Sequence, residues 1–178
     1  DAGLRIIHNM DYKILSQTLF QIQASDNPEE ALEHMTYGLK KILDYKLFAF
    51  FIRGTDKNTV MAWIEPEYYE KYMKKIFEED SGMSTDNGLI YMTLRNRDES
   101  FARLAELDIE NRETRIFKIA LPHLEARIYL TPGRQILPYH MEIINLLIES
   151  FKKTVSIHME LEQLRQEASI DGLTGVSN

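Results

Sequence analysis

The chain has 178 residues, 44% hydrophobic and 28% charged, with a formal net charge of −7, a length that suits one domain with a helical extension and buries roughly 70% of its unfolded surface. The negative balance argues against nonspecific binding to nucleic acid or anionic lipid, and the absence of cysteine excludes disulfides, thiolate nucleophiles, zinc–thiolate sites and thioether-linked cofactors. No apolar run approaches the ~20 residues needed to cross a bilayer, so no membrane span is expected.

Residues 4–24 place Ile7, Met10, Ile14, Leu15, Leu19 and Ile22 at steps of three and four, the period of an amphipathic helix. A stop and restart follows. Asn27 is placed to cap, Pro28 fits the first helical position and Glu30 completes a capping-box spacing. The second helix turns Leu32, Met35, Leu39 and Ile42 inward and is predicted to end near Asp44. "KLFAFFIRG" and "TVMAWIE" then read as an antiparallel strand pair. Pro66 ends the second strand and opens a helix with Tyr69, Tyr72, Met73 and Ile76 on one face. "GLIYMTLRNRDES" reads as a short helix, and residues 101–114 fit either a short strand or a helical turn.

Strand character returns in "TRIFKIALPH" and "EARIYLTPGR", paired as a hairpin across Pro122-His123. In the first of these, Ile116, Lys118 and Ala120 alternate with Phe117, Ile119 and Leu121, a pattern that predicts cover on both faces. Pro132-Gly133 stands in the order of a type II turn. Pro138 opens a long helix with Met141, Ile144, Leu147, Ile148, Phe151 and Val155 inward. From Ile157 its broad apolar face narrows to a seam at Ile157, Leu161, Leu164 and Ala168, spaced as in a heptad repeat and flanked by charges. The order of elements predicts an α+β fold: a mostly antiparallel sheet flanked by helices, with long N- and C-terminal helices.

The residues carry little chemistry. His8, His34, His123, His140 and His158 stand at no metal-ligand spacing, and the acidic groups lack the glycine-containing calcium-loop pattern. There is no phosphate-binding glycine loop and no nucleophile elbow, so no catalytic residue, metal or cofactor is expected. Seven of the ten arginines lie between Arg95 and Arg134. Forked guanidinium groups suit an anionic metabolite, but the acidic residues of the same span offer local ion pairs. Arg127, on a strand beside Tyr129, is the arginine hardest to assign to such a pair.

The final residues, "IDGLTGVSN", closely resemble the D-x-L-T-G-L-x-N-R opening of GGDEF domains, the diguanylate cyclases: Asp171, Leu173, Thr174, Gly175 and Asn178 match, and Val176 replaces the usual leucine. The rest of the chain resembles a GAF domain, with a PAS domain as the nearest competitor. Three stretches carry that resemblance: "NPEEALEHMTYGLKKILDYKLFAFFI", "GLIYMTLRNRDESF" and "PYHMEIINLLIESFKKTVSIHMELEQL".

These resemblances imply a GAF-like sensory domain over residues 1–156, a coiled-coil signalling helix over 157–169 and the start of a truncated GGDEF domain over 170–178. Asp1 stands first with no start methionine or signal peptide, which leads to the expectation of a fragment of a longer, cytoplasmic protein. The implied role is control of a diguanylate cyclase in cis, hence of cyclic di-GMP synthesis, through a homodimer formed by the first and last helices. Magnesium and GTP would belong to the cyclase alone. A GAF comparison places a small-molecule pocket between the sheet and residues 66–110, lined by Phe50, Trp63, Tyr91, Arg95, Arg127 and Tyr129. The alternatives are a ligand-free structural dimerisation module, with the aromatic residues simply filling the core, and a PAS-like sensor of another output domain.

Overall fold

A computed structural model describes residues 2–54, 59–85, 89–92 and 113–173, and of residues 4 and 170–173 the backbone alone. Within these the fold is α+β, a five-stranded mixed sheet with four α-helices. None of the described helices is long and apolar enough to cross a membrane.

The first helix, α1 (Ala2–Gln23), turns inward most of the face its apolar spacing predicts: Leu15 and Ile22 are buried, and Ile14 and Leu19 are half-buried against the core. Asp11 and Thr18 are buried with them, while Ile7 and Met10 are exposed. Polar partners account for the two buried polar residues. Asp11 is buried against the last helix, where it accepts a hydrogen bond from Tyr139 at 2.7 Å. Thr18 lies where a Cβ on Gly38 of the second helix would collide with it, so the missing side chain of Gly38 lets the two backbones close together.

The second helix, α2 (Pro28–Leu43), starts as its capping residues require. Asn27 accepts from the backbone N–H of Glu30 at 2.8 Å, and the Glu30 carboxylate accepts from the N–H of Asp26 at 3.0 Å, one residue earlier than in a standard capping box. It ends at Asp44 in the left-handed region, φ 47°. Burial pushes the Asp44 carboxyl up, but Lys46 and Lys40 more than offset this and hold it below the usual carboxylate range. Gly133 packs on this cap, donating its N–H to the Leu43 carbonyl at 3.2 Å. Gly133 does not take the positive φ of a type II turn. It is glycine because a Cβ there would overlap the Asp44 carbonyl oxygen.

The sheet runs β3-β2-β1-β5-β4, from β1 (Leu47–Gly54), β2 (Val60–Glu65), β3 (Leu89–Tyr91), β4 (Arg115–Leu121) and β5 (Leu124–Thr131). All pairs are antiparallel except β2–β3, which is parallel. Residues 89–91, predicted as the start of a helix, are thus an edge strand. Their pairing with Val60–Ala62 supplies hydrogen bonds that a three-residue apolar stretch does not reveal. The two-residue hairpin at Pro122-His123 forms as predicted, with His123 at φ 59°.

Strand alternation splits the core in two. Phe48, Phe50, Trp63, Ile128 and Leu130 face α1, α2 and the last helix, α4 (Pro138–Leu173). Ala49, Phe51, Ala62 and Tyr129 face α3 (Glu70–Ser81), where Phe51 stacks on Phe77 with ring centroids 4.3 Å apart. Of β4, only the face toward α4 is covered by described residues: Ile119 and Leu121 are buried, while Ile116, Lys118 and Ala120 are exposed. Among the described residues the expected cover on both faces is not found there, because the described α3-side core ends at β5.

The predicted inward residues of α4 are buried or half-buried, Met141 being the half-buried one. Asp11 meets Tyr139 near the start of α4, and Ser25, just past α1, meets His158 twenty residues along, so α1 and α4 run parallel. The helix expected to end at residue 169 continues to Leu173. No proline interrupts it after Pro138.

Candidate functional site

The six residues expected to line one pocket fall on two sides of the sheet. Phe50 and Trp63 are cross-strand partners facing the three-helix layer. Trp63 donates its indole N–H to Glu65 at 3.0 Å, and Tyr45 donates to the other oxygen of that buried carboxylate at 2.8 Å. Trp63 is therefore a core residue with its polar atom satisfied. Arg127 and Tyr129 project to the α3 side. Tyr91 pairs with Ala62 and so shares that side, under Lys74, whose Nζ lies 5.7 Å from its ring. Two strands separate Tyr91 from Tyr129, roughly 14 Å at normal strand spacing. Arg95 and most of the 66–110 segment's second half, residues 93–110, lie outside the described residues.

On the α3 side Arg127 is already engaged. Its guanidinium bonds the Asp80 carboxylate at the end of α3, and Tyr129 donates to the same carboxylate oxygen at 2.8 Å. Burial pushes the Asp80 carboxyl up, and the Tyr129 hydroxyl and the Arg127 guanidinium together bring it below its ordinary value. Burial, followed by the Asp80 bond, raises Tyr129 well above the tyrosine range, which keeps its hydroxyl a donor. The trio fastens α3 to β5, so an anion approaching Arg127 would have to displace Asp80.

A groove of about 760 Å³ opens instead on the helical side, over the end of the sheet where β1 finishes and β2 begins. Phe50, Ile52, Met61 and Ile90 form its floor. Leu32 of α2 stands on one side, and Phe151, Val155 and Met159 of α4 stand opposite. Pro122, His123 and Leu124 of the β4–β5 turn close one end. Of the described residues expected to line a pocket, Phe50 alone borders this groove. Its other residues come from segments far apart in the chain, and no motif joins them.

The last feature is the exit of α4. His158 Nε2 sits 2.8 Å from the Ser25 carbonyl, which only accepts, so that ring nitrogen carries the proton. Beyond Met159 the helix leaves the domain, and every residue from Glu160 to Ser169 is exposed. Ile157, Leu161 and Leu164 are 48%, 48% and 60% exposed. Ala168 continues the same seam and is also exposed. Of the resembled GGDEF opening, Asp171 and Leu173 are described only as helical backbone, and Thr174, Gly175 and Asn178 lie outside the described residues.

The chain matches no protein-family model, no curated protein and no solved structure. What it can do therefore has to be read from its own geometry. Among the described residues no cluster of three histidine or carboxylate side chains could hold a metal ion. The described features are a locked ion pair, an apolar groove and a helix that carries unpaired leucines out of the domain.

Proposed function

We propose that this chain is a regulatory and dimerisation domain whose output leaves through α4 toward a C-terminal GGDEF domain, and that it thereby governs cyclic di-GMP synthesis. The observation that carries this reading is the continuity of α4. It begins inside the core, with Ile143, Ile144 and Leu147 fully buried, and runs 36 residues to Leu173 with its apolar seam uncovered. Exposed leucines at heptad spacing gain stability only when a second helix covers them. Ile7 and Met10 of α1, the helix parallel to α4, are further exposed apolar residues available to a second copy. The resemblance of residues 171–178 to a GGDEF opening names the output, and the layered sheet with helices on both faces is compatible with a GAF-like sensor. A sensor shifts its output only when its input favours one of two states of the transmitting element. A change in the register or crossing angle of two α4 helices is such a difference.

A second reading, a ligand-free dimerisation module, draws support from the α3 side, where Arg127 is held by Asp80 and Phe51, Phe77 and Tyr129 fill the space. The two readings share the dimer. In a chain extended through the downstream domain, Leu161→Lys with Leu164→Lys should abolish dimerisation at micromolar concentration and change cyclase output. Unchanged sedimentation and unchanged output would overturn the role given to α4.

A further inference from the structure

We propose that the groove between α4 and the β1–β2–β3 end of the sheet binds an elongated apolar small molecule whose polar end is neutral or positively charged. Its volume, about 760 Å³, falls within the range of ~300–1,000 Å³ usual for small-molecule sites. Its surface is apolar along its length, and Met61 and Ile90 on its floor stay exposed although they belong to paired strands. Three methionines, Met61, Met92 and Met159, border it. Their unbranched thioether side chains adapt to a ligand's outline at little cost.

Charge selects the head group. Glu29 from the start of α2 and Glu160 and Glu162 from α4 stand on the rim, and the described lining residues include no lysine or arginine. The partial positive charge of the α2 N-terminus is already answered by Asn27, which takes the Glu30 N–H. A carboxylate or phosphate entering along α4 would meet three carboxylates. An ammonium or an alcohol would not be repelled, and Gln163 and Gln166, also on the wall, offer it amide partners. The three rim carboxylates argue against the anionic metabolite that the arginine-rich middle of the sequence suggests.

The position of the groove gives occupancy a consequence. Phe151, Val155 and Met159 are consecutive inward residues of α4, so an occupant bears directly on the helix just before it leaves the domain. That consequence rests on the regulatory reading of α4, whereas binding does not.

The test titrates the chain, labelled at its methionine methyl groups, with decyltrimethylammonium, decanol and decanoate below their micelle-forming concentrations. The Met61, Met92 and Met159 resonances should shift with the first two probes, while Met10 on the exposed face of α1 and Met73 in the α3-side core stay fixed. Decanoate should bind at least tenfold more weakly, and Glu29→Gln with Glu160→Gln and Glu162→Gln should erase that difference. Met61→Trp, at a partly exposed floor position, should weaken binding tenfold or more with an unchanged circular dichroism melt. Equal affinity for decanoate, shifts at Met10 matching those in the groove, or no shift at the groove methionines would each overturn the proposal. Because binding is read on the chain itself, its failure would leave the dimer test standing, and failure of the dimer test would leave binding standing.

Discussion

Asp11, Tyr139 and His140 show how a few polar atoms set the alignment of two helices. The Asp11 carboxylate accepts from Tyr139 and lies 3.6 Å from His140 Nε2. The other nitrogen of His140, Nδ1, accepts from the backbone N–H of Leu137 at 2.9 Å and caps the start of α4. Burial lowers the His140 pKa, with Arg134 adding to the effect and Asp11 opposing it. An unfolded histidine takes up its proton below pH ~6.5, while the folded one resists it, so the unfolded state binds more protons there and stability falls with pH. Urea unfolding should show midpoints that are level above pH 7 and decline from pH 6.5 toward 5. The decline should shrink in His140→Asn, whose amide oxygen takes the place of Nδ1 as the acceptor for Leu137. A wild-type midpoint independent of pH over that window would refute a buried neutral His140.

At the scale of elements, the junction of α2 and β5 is the tightest place described. Gly133 sits on the left-handed cap at Asp44, and a methyl group there meets a backbone carbonyl that has no free rotation to yield. Gly133→Ala should therefore cost about 1–3 kcal/mol, the usual range for overpacking, measurable as a lower urea midpoint at unchanged slope. Elements whose signals are local were legible in the sequence. The α2 cap follows from Asn27, Pro28 and Glu30, the β4–β5 hairpin from Pro122-His123, and the inward stripe of α4 from its period. Elements decided by partners were not. The apolar period of α1 locates Ile14, Leu15, Leu19 and Ile22, but its buried polar positions depend on Asp11 finding Tyr139 and on Thr18 finding Gly38. The strand at Leu89–Tyr91 depends on β2 beside it. The expected pocket mixed residues from two faces of one sheet, because side-chain alternation separates Phe50 and Trp63 from Arg127 and Tyr129. The groove draws on α2, α4 and three strands, so its pattern emerges only on folding.

At the scale of the whole molecule, the domain and its exit helix are energetically separable. Residues 160–169 are exposed, and none of them belongs to either buried core cluster. Truncation after Met159 should leave the thermal midpoint of the monomer within the ±0.5 kcal/mol usual for surface changes, while abolishing self-association through the seam. A large drop in the midpoint would show that the overhang stabilises its own domain. Among the described residues the last hydrogen bond from the helix to the rest of the domain joins His158 to the Ser25 carbonyl, and it works as a fulcrum. From His158 to Leu173 the helix extends about 22 Å at 1.5 Å per residue. A tilt of about 10° at that bond would swing its far end by about 4 Å, close to the width of one strand spacing. The helix is thus a lever whose short arm lies beside the groove, and displacements too small to disturb the core are enlarged before they reach whatever α4 carries.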